Sequence, residues 1–231
     1  MYKIEFEKFF SYSFSLDCLI FGFKDDEIKV LLIKRAIEPF NGYWAIPGDL
    51  IYPDEDLPDA AGRILFDLTK LRDIEMHQTQ TFGDPKRHPQ GRVITCAFLA
   101  LVRVEELNAV ASSWVEEVKW VSVDEVAELA FDHNLILNST YEILKQKLSK
   151  EPVCFDMLST KFTLNEMQKL YEYAFKTEMD KGNFRKKLKQ IPLIKHDEKQ
   201  KHVKHRPATL YSFDQKAFRD IVNENEYTFK M

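Results

Sequence analysis

The chain has 231 residues, 45% hydrophobic with 18 phenylalanines, enough apolar material for one large core or two modest ones and too much for wholesale disorder. Cys18, Cys96 and Cys154 are odd in number and far apart, which excludes a disulfide framework and a CxxC metal pair. The net charge of −4 hides an asymmetry: residues 1–150 hold 17 Lys and Arg against 25 acids, net −8, whereas residues 151–231 hold 16 against 12, net +4. That is the pattern of an acidic body joined to a basic module with a polyanionic partner. No run approaches the roughly 18 apolar residues of a membrane span, and no apolar leader follows a basic segment, so a cytoplasmic protein is expected.

In chain order, Ser15–Phe23 and Ile28–Arg35 are apolar, β-branched and aromatic runs around a charged turn at Lys24–Glu27, which predicts a hairpin of largely buried strands. The second run ends in Lys34-Arg35, and one of these cations is a candidate to face a ligand. Trp44–Pro47 reads as a short strand and Asp59–Lys70 as a helix, with Asp59 or Asp56 as cap and Pro58 in the first turn. Ala61, Ile64, Leu65, Leu68 and Leu71 form its apolar stripe. Ile74–Phe82, Arg92–Val104 and Val118–Val121 read as strands. Ser122-Val-Asp-Glu125 reads as a capping box opening a short helix. Asn134 to about Lys150 reads as a longer helix with Leu135, Leu137, Tyr141, Leu144 and Leu148 inward. His133 beside Asp132 reads as helix-start packing before a metal or catalytic pair.

Glu151-Pro152 ends that helix and opens a second module. Thr163-Leu-Asn-Glu166 is a further capping box, starting a helix to about Phe175. After a short turn, Lys181–Ile191 places Phe184, Leu188 and Ile191 on one helical face, with Asn183, Lys186, Lys189 and Gln190 broadly opposite and Arg185 on the flank. Two helices so closely joined, the second basic outside and apolar inside, predict a helix-turn-helix. Asp197–Arg206 reads as a charged loop before a strand at Ala208–Phe213. Its tip, with Lys199, Lys201, Lys204 and Arg206, is what a wing needs to reach backbone phosphates.

Trp44–Leu71, through Gly48, Glu55, Arg63, Leu65 and Leu71, resembles the Nudix box, the loop-helix signature of hydrolases that cut nucleoside diphosphates linked to another group. The three helix glutamates that hold magnesium in that family read Ile64, Asp67 and Leu68 here. The box loop also carries Asp49 and the helix end Lys70 where the family has glycine. Together with Leu16–Phe23, Phe131-Asp-His133, Met179–Lys187 and Arg206–Tyr211, the chain resembles Nudix-related bacterial transcription factors, which regulate nicotinamide-cofactor metabolism or sense arabinose or xylose. Gly182 stands where many of them have Arg.

The resemblance implies an α+β fold, a Nudix-type α/β/α sandwich with mixed sheet over 1–150 followed by a C-terminal winged helix-turn-helix over 151–231. It also implies a homodimer on paired operator half-sites of double-stranded DNA, without a cofactor or metal and without hydrolase activity. Lys181, Asn183, Arg185, Lys186, Lys189, Lys204 and Arg206 are the expected DNA-binding residues. Asp17, Lys34, Trp44, Asp49, Glu55 and Arg63 are the effector-site candidates. Loss of the metal helix argues for a neutral pentose such as arabinose, hence a repressor of carbohydrate-utilisation genes. ADP-ribose, with control of nicotinamide-cofactor metabolism, is the alternative. A working hydrolase, using Glu55, Asp67 and Asp54 or Glu75, is a second. An RNA-binding accessory protein fits the charge but lacks the exposed aromatic platforms of single-strand recognition.

Overall fold

Asp25 and Asp26 stand at φ of 56° and 62°, the double left-handed pair of a type I′ turn, and they close the hairpin that opens the fold. A computed structural model describes residues 12–70, 72, 74–104, 114–151, 153–200 and 206–223. The hairpin strands are β1 (Ser13–Lys24) and β2 (Glu27–Arg35). Both are too apolar for a solvent face, and Leu16 and Leu19–Phe21 are fully buried. They are followed by β3 (Trp44–Ala45), β4 (Gly48–Leu50), helix α1 (Leu57–Thr69), β5 (Met76–Phe82), β6 (Val93–Leu101), β7 (Val115–Ser122) and helix α2 (His133–Lys150).

The seven strands form one mixed sheet in the order β3-β2-β1-β6-β5, with β4 beside β1 and β7 beside β2. β1 and β6 run parallel, with Asp17 opposite Ala97, while β4 runs antiparallel to β1, with Asp17 opposite Gly48. A Cβ on Gly48 would lie 2.4 Å from Asp17 Oδ1 and 2.7 Å from the Leu16 carbonyl, so only glycine fits there.

α1 is capped by Asp56, whose carboxylate accepts from the Leu57 N–H at 2.7 Å. It ends at Lys70 in the left-handed conformation, φ 59°, the position that favours glycine. Ala61, Ile64, Leu65 and Leu68 are buried as the spacing requires; Leu71 lies outside the described residues. Two expectations are corrected. Val123–Glu125 is a single 3-10 turn in which Ser122 makes no side-chain cap bond, and the backbone is already extended at Val126, ψ 117°, before a second turn can form. In α2 the inward residue is Ile136, fully buried, and Leu135 is 58% exposed. Leu135 lies about 200° of helical turn from Leu137, on the opposite side.

The described chain clusters into two units, one drawn from within 1–21, 30–101 and 107–141, the other from within 22–29, 102–106 and 142–231. The second unit contains α3 (Leu164–Phe175), α4 (Lys181–Leu188), the strands β8 (Leu193–Lys199) and β9 (Thr209–Phe213), and α5 (Gln215–Asn223). Both arms of the Thr163–Glu166 capping box form: Glu166 N–H donates to Thr163 Oγ1 at 3.1 Å and Thr163 N–H donates to Glu166 Oε2 at 2.6 Å. β8 extends to Lys199, into the segment expected to be loop, because its edge continues pairing with β9 through Lys199 opposite Thr209. Phe162 forms a single antiparallel bridge to Tyr211, outside the two-stranded sheet, and Phe155 stacks on Phe213 at 4.2 Å.

Burial pushes all three cysteine thiols up, Cys154 to about 12, so these groups act as apolar filling. Among the described residues no helix is long and apolar enough to cross a membrane.

Candidate functional site

In the first unit a cleft of about 730 Å³ opens between the start of β1, the end of β2, β4 and the loop before β6. Asp17 lies at its floor, only 5% exposed. It accepts from Thr95 Oγ1 at 2.8 Å and faces Arg87 Nη2 at 3.4 Å and His133 Nε2 at 3.5 Å. Arg87 reaches in from the loop 83–91 and is tied to Asp132 by Nε at 2.9 Å and Nη2 at 2.8 Å.

The Ile46 N–H donates to His133 Nδ1 at 2.9 Å, so that nitrogen carries no proton. Burial holds the imidazole below its usual range despite Asp17. It is therefore neutral, with its one N–H on the Asp17 side. Sequence spacing assigned His133 to helix-start packing, and the structure places it in the wall of the cleft as well.

Strand alternation separates the two cations at the end of β2. Arg35 lines the cleft, its Nε donating to the Pro39 carbonyl at 2.8 Å and its guanidinium lying 5.0 Å from the Phe131 ring centroid. Lys34 points the other way, into an ion pair with Glu116 at 2.8 Å. Phe131 is held at φ 54° and is stacked by His88 at 5.0 Å with the rings 14° apart. Burial, then the nearby Arg87 and Arg35, hold His88 below its usual range.

The box loop is closed by Arg63. Its Nε donates to Glu55 Oε1 at 2.6 Å, Nη2 to Glu55 Oε2 and to the Leu50 carbonyl at 3.0 Å each, and Nη1 to Asp49 Oδ2 at 2.8 Å. Backbone N–H groups add to this: Glu55 Oε2 accepts from Tyr52 N–H at 3.1 Å and Asp49 Oδ1 from Leu50 N–H at 2.8 Å. The guanidinium lies 4.0 Å from the Tyr52 ring centroid. Its hydrogen bonds hold Glu55 below the usual carboxylate range.

Of the effector-site candidates, Asp17 and Asp49 line the cleft. Lys34, Trp44, Glu55 and Arg63 lie outside its lining; Glu55 and Arg63 shape the loop, and the Trp44 carbonyl accepts from Ala130 N–H at 2.8 Å. Of the Lys34-Arg35 pair it is Arg35 that lines the cleft, and Arg87, His88, Arg92 and Phe131, which also line it, are not among the sequence-based candidates. Where a small neutral sugar pocket is expected, the lining carries three arginines, Arg35, Arg87 and Arg92, and the aromatic faces of Tyr52, His88 and Phe131.

The helix does not fit magnesium. Ile64 and Leu68 are 1% and 0% exposed, Glu55 is tied to Arg63 and the Tyr52 N–H, and Asp67 is the one acid left among the three helix positions. Among the described residues no group of three or more His, Cys, Asp or Glu side chains is placed to hold a metal ion. Magnesium takes oxygens in an octahedral array.

In the second unit, Gln168 and Glu172 of α3 fasten the turn before α4. Glu172 Oε1 accepts from Met179 N–H at 3.0 Å and from Gln168 Nε2 at 2.8 Å, and Gln168 Nε2 also donates to the Met179 carbonyl at 2.8 Å. Asp180 caps α4 by accepting from Asn183 N–H at 2.8 Å. Phe184, Leu188 and Ile191 are buried, with Phe184 edge-on to Tyr171 at 5.9 Å. Lys181, Asn183, Arg185, Lys186 and Lys189 are all exposed, as is Arg206 at the base of β9. Lys201 and Lys204 lie outside the described residues. The arrangement presents a short cationic helix on an apolar footing, with strands β8 and β9 beside it.

Compared with known proteins, the sequence matches the NUDIX domain over residues 13–140 and the NrtR DNA-binding winged helix domain over residues 154–213. A protein of Acinetobacter baylyi described as the ADPR responsive transcriptional repressor NtrR is 28% identical over 203 residues, covering 86% of this chain and 81% of that one. The crystal structure of Shewanella oneidensis NrtR complexed with a 27mer DNA is similar with a TM-score of 0.77 and 30% identity, over 87% of this chain and 93% of that one. The NUDIX domain of the same protein complexed with ADP ribose is similar with a TM-score of 0.55 and 29% identity, over 62% of this chain and 94% of that one.

Proposed function

The chain belongs to the Nudix-related transcriptional regulators, an α+β protein with a Nudix-type domain and a C-terminal winged helix, and from that membership we propose that it is a DNA-binding repressor whose effector is ADP-ribose. Residues 1–150 are read as the effector-binding part and 151–231 as the DNA-binding part. The observation that carries the DNA reading is the exposed cationic face of α4 above the buried Phe184 and Leu188. Asn183, Arg185 and Lys186 are read as facing base edges in the major groove, with Lys181, Lys189, Lys204 and Arg206 on phosphates. As a homodimer, two such modules would occupy half-sites about 34–36 Å apart, or a multiple of that.

The effector reading rests on the chemistry of the cleft. Arg35, Arg87 and Arg92 supply donors for an anionic ligand, and Phe131, His88 and Tyr52 supply flat faces for a base. A pentose has neither charge nor a base, and carbohydrate sensing is set aside on that ground. The relatives named above point the same way. Hydrolysis is not part of the proposal, since the helix positions that would hold magnesium are buried apolar residues. A coupling of roughly 1–3 kcal/mol between effector and DNA suffices to shift operator occupancy.

Gel-shift titration across salt concentrations tests the DNA reading: binding that weakens steeply with salt is expected, and a flat response would remove it. Thermal-shift screening of ADP-ribose beside arabinose and xylose tests the effector. Stabilisation by a pentose alone would reverse the choice.

A further inference from the structure

The cleft combines two features that bear on how a diphosphate would be held. Asp17 and Asp49 of its lining, and Glu55 beside it, are engaged within the protein, which leaves Glu38 as a single further lining carboxylate. Asp49 and Glu55 meet Arg63 and backbone N–H groups, and Asp17 meets Thr95, Arg87 and His133. With Ile64 and Leu68 buried, no group of three or more His, Cys, Asp or Glu side chains among the described residues is placed to hold a divalent ion between protein and phosphate.

Two of the arginines are in the opposite condition. Arg35 is half-buried, yet its only hydrogen bond among the described residues is from Nε to the Pro39 carbonyl, leaving both terminal nitrogens without a carboxylate. Burial lowers its pKa and Glu38 offsets this only in part, which is the mark of a desolvated cation lacking a partner. Arg92 donates one terminal nitrogen to the Gly83 carbonyl, and no carboxylate lies against it among the described residues. Arg87 is not of this kind, since Asp132 and Asp17 already hold it.

We propose that the effector's diphosphate is bound without a divalent cation, with the guanidinium groups of Arg35 and Arg92 taking the place of the metal. This rests on the reading of the effector as ADP-ribose. A guanidinium fork matches two phosphate oxygens at once, and unlike magnesium it needs no carboxylate to hold it in place. The phosphates in turn supply the charge partner that Arg35 lacks.

The test is calorimetric titration of the full-length protein with ADP-ribose, once in excess EDTA and once in magnesium. The two dissociation constants should agree within about twofold, because no protein oxygens are assigned to the ion. Arg35→Gln and Arg92→Gln should each weaken binding by roughly 10- to 100-fold, the loss of a charge-assisted hydrogen bond. Both variants should keep wild-type operator binding in a gel shift, which also shows that they fold. Binding that appears only with magnesium, or that ignores both substitutions, overturns this inference and leaves ADP-ribose as the effector. No binding in either buffer removes the effector reading and the inference with it.

Discussion

Arg87 and Asp132 meet through two hydrogen bonds, from Nε at 2.9 Å and Nη2 at 2.8 Å, across 45 positions of sequence. The Arg87 side chain is 4% exposed and the Asp132 side chain 17%, and the same guanidinium also faces Asp17. A loop residue thereby fixes the entry of α2 to the floor of the cleft. Removing one partner of a buried pair leaves the other charge desolvated and alone. Arg87→Met should cost about 3–5 kcal/mol of unfolding free energy, read from urea denaturation. A loss under about 1 kcal/mol, the range of exposed pairs, would show that the group is hydrated in solution.

Restoring glutamates to the box helix should not restore a metal site. Ile64 and Leu68 are buried, so Ile64→Glu and Leu68→Glu would place carboxylates in the core. Each should destabilise by several kcal/mol, an order-of-magnitude figure for an unpaired buried charge. Circular dichroism melting should show the loss, and the double variant should not convert ADP-ribose to AMP and ribose 5-phosphate with magnesium. A stable double variant that turns over substrate would mean that this face of α1 is open.

Acid should weaken the first unit before most carboxylates titrate. His133 is neutral in the folded protein, and burial holds its pKa below the ordinary value. The unfolded chain binds a proton below about pH 6.5, whereas the folded chain does so only at lower pH. The stability from neutral His133 is therefore complete above about 6.5, and it falls as pH drops from there toward the folded pKa. The groups facing it are Asp17, Asp132, Arg87 and Arg35. Urea midpoints stepped from pH 7.5 to 5 should decline, and His133→Gln should flatten the decline. His88, also shifted downward, needs its own His88→Gln control. An undiminished slope in His133→Gln would count against this assignment.

The basic face of α4 can be counted through salt. Lys181→Ala and Lys189→Ala touch exposed side chains and should leave the melting temperature unchanged. For a residue on phosphate, operator affinity should fall and the slope of log K against log salt should shrink by about one. For a base-reading residue such as Arg185 or Asn183, the loss should instead be about 1–3 kcal/mol and concentrated on one operator position. Equal affinity for all four alanine variants would take α4 out of the groove.

The sequence made the frame legible because burial and period coincide there. The β1–β2 hairpin, the α1 stripe, both arms of the Thr163 capping box and the inward face of α4 follow from spacing alone. The cleft was harder to read. Lys34 and Arg35 are adjacent cations, and only the parity of β2 against β7 decides which one enters the cleft. Arg87 sits in a Pro- and Gly-rich loop without periodicity, and its partners lie 70 and 45 positions away. Leu135 misled because an apolar residue beside a stripe looks like part of it until the helix phase is known. The Asp132-His133 pair is visible in the sequence, but spacing carries no sign that His133 accepts from the Ile46 N–H.

Arg63 joins Glu55, Asp49 and the Leu50 carbonyl into a loop whose shape is complete before anything enters the cleft. A guest meets walls already in position and gives up little further freedom of the chain on arrival. Affinity then follows from the contacts themselves, and the rate of capture from diffusion to an open mouth. A receptor preorganised in this way can follow rapid changes in the concentration of a metabolite, because no slow ordering of the loop stands between encounter and response.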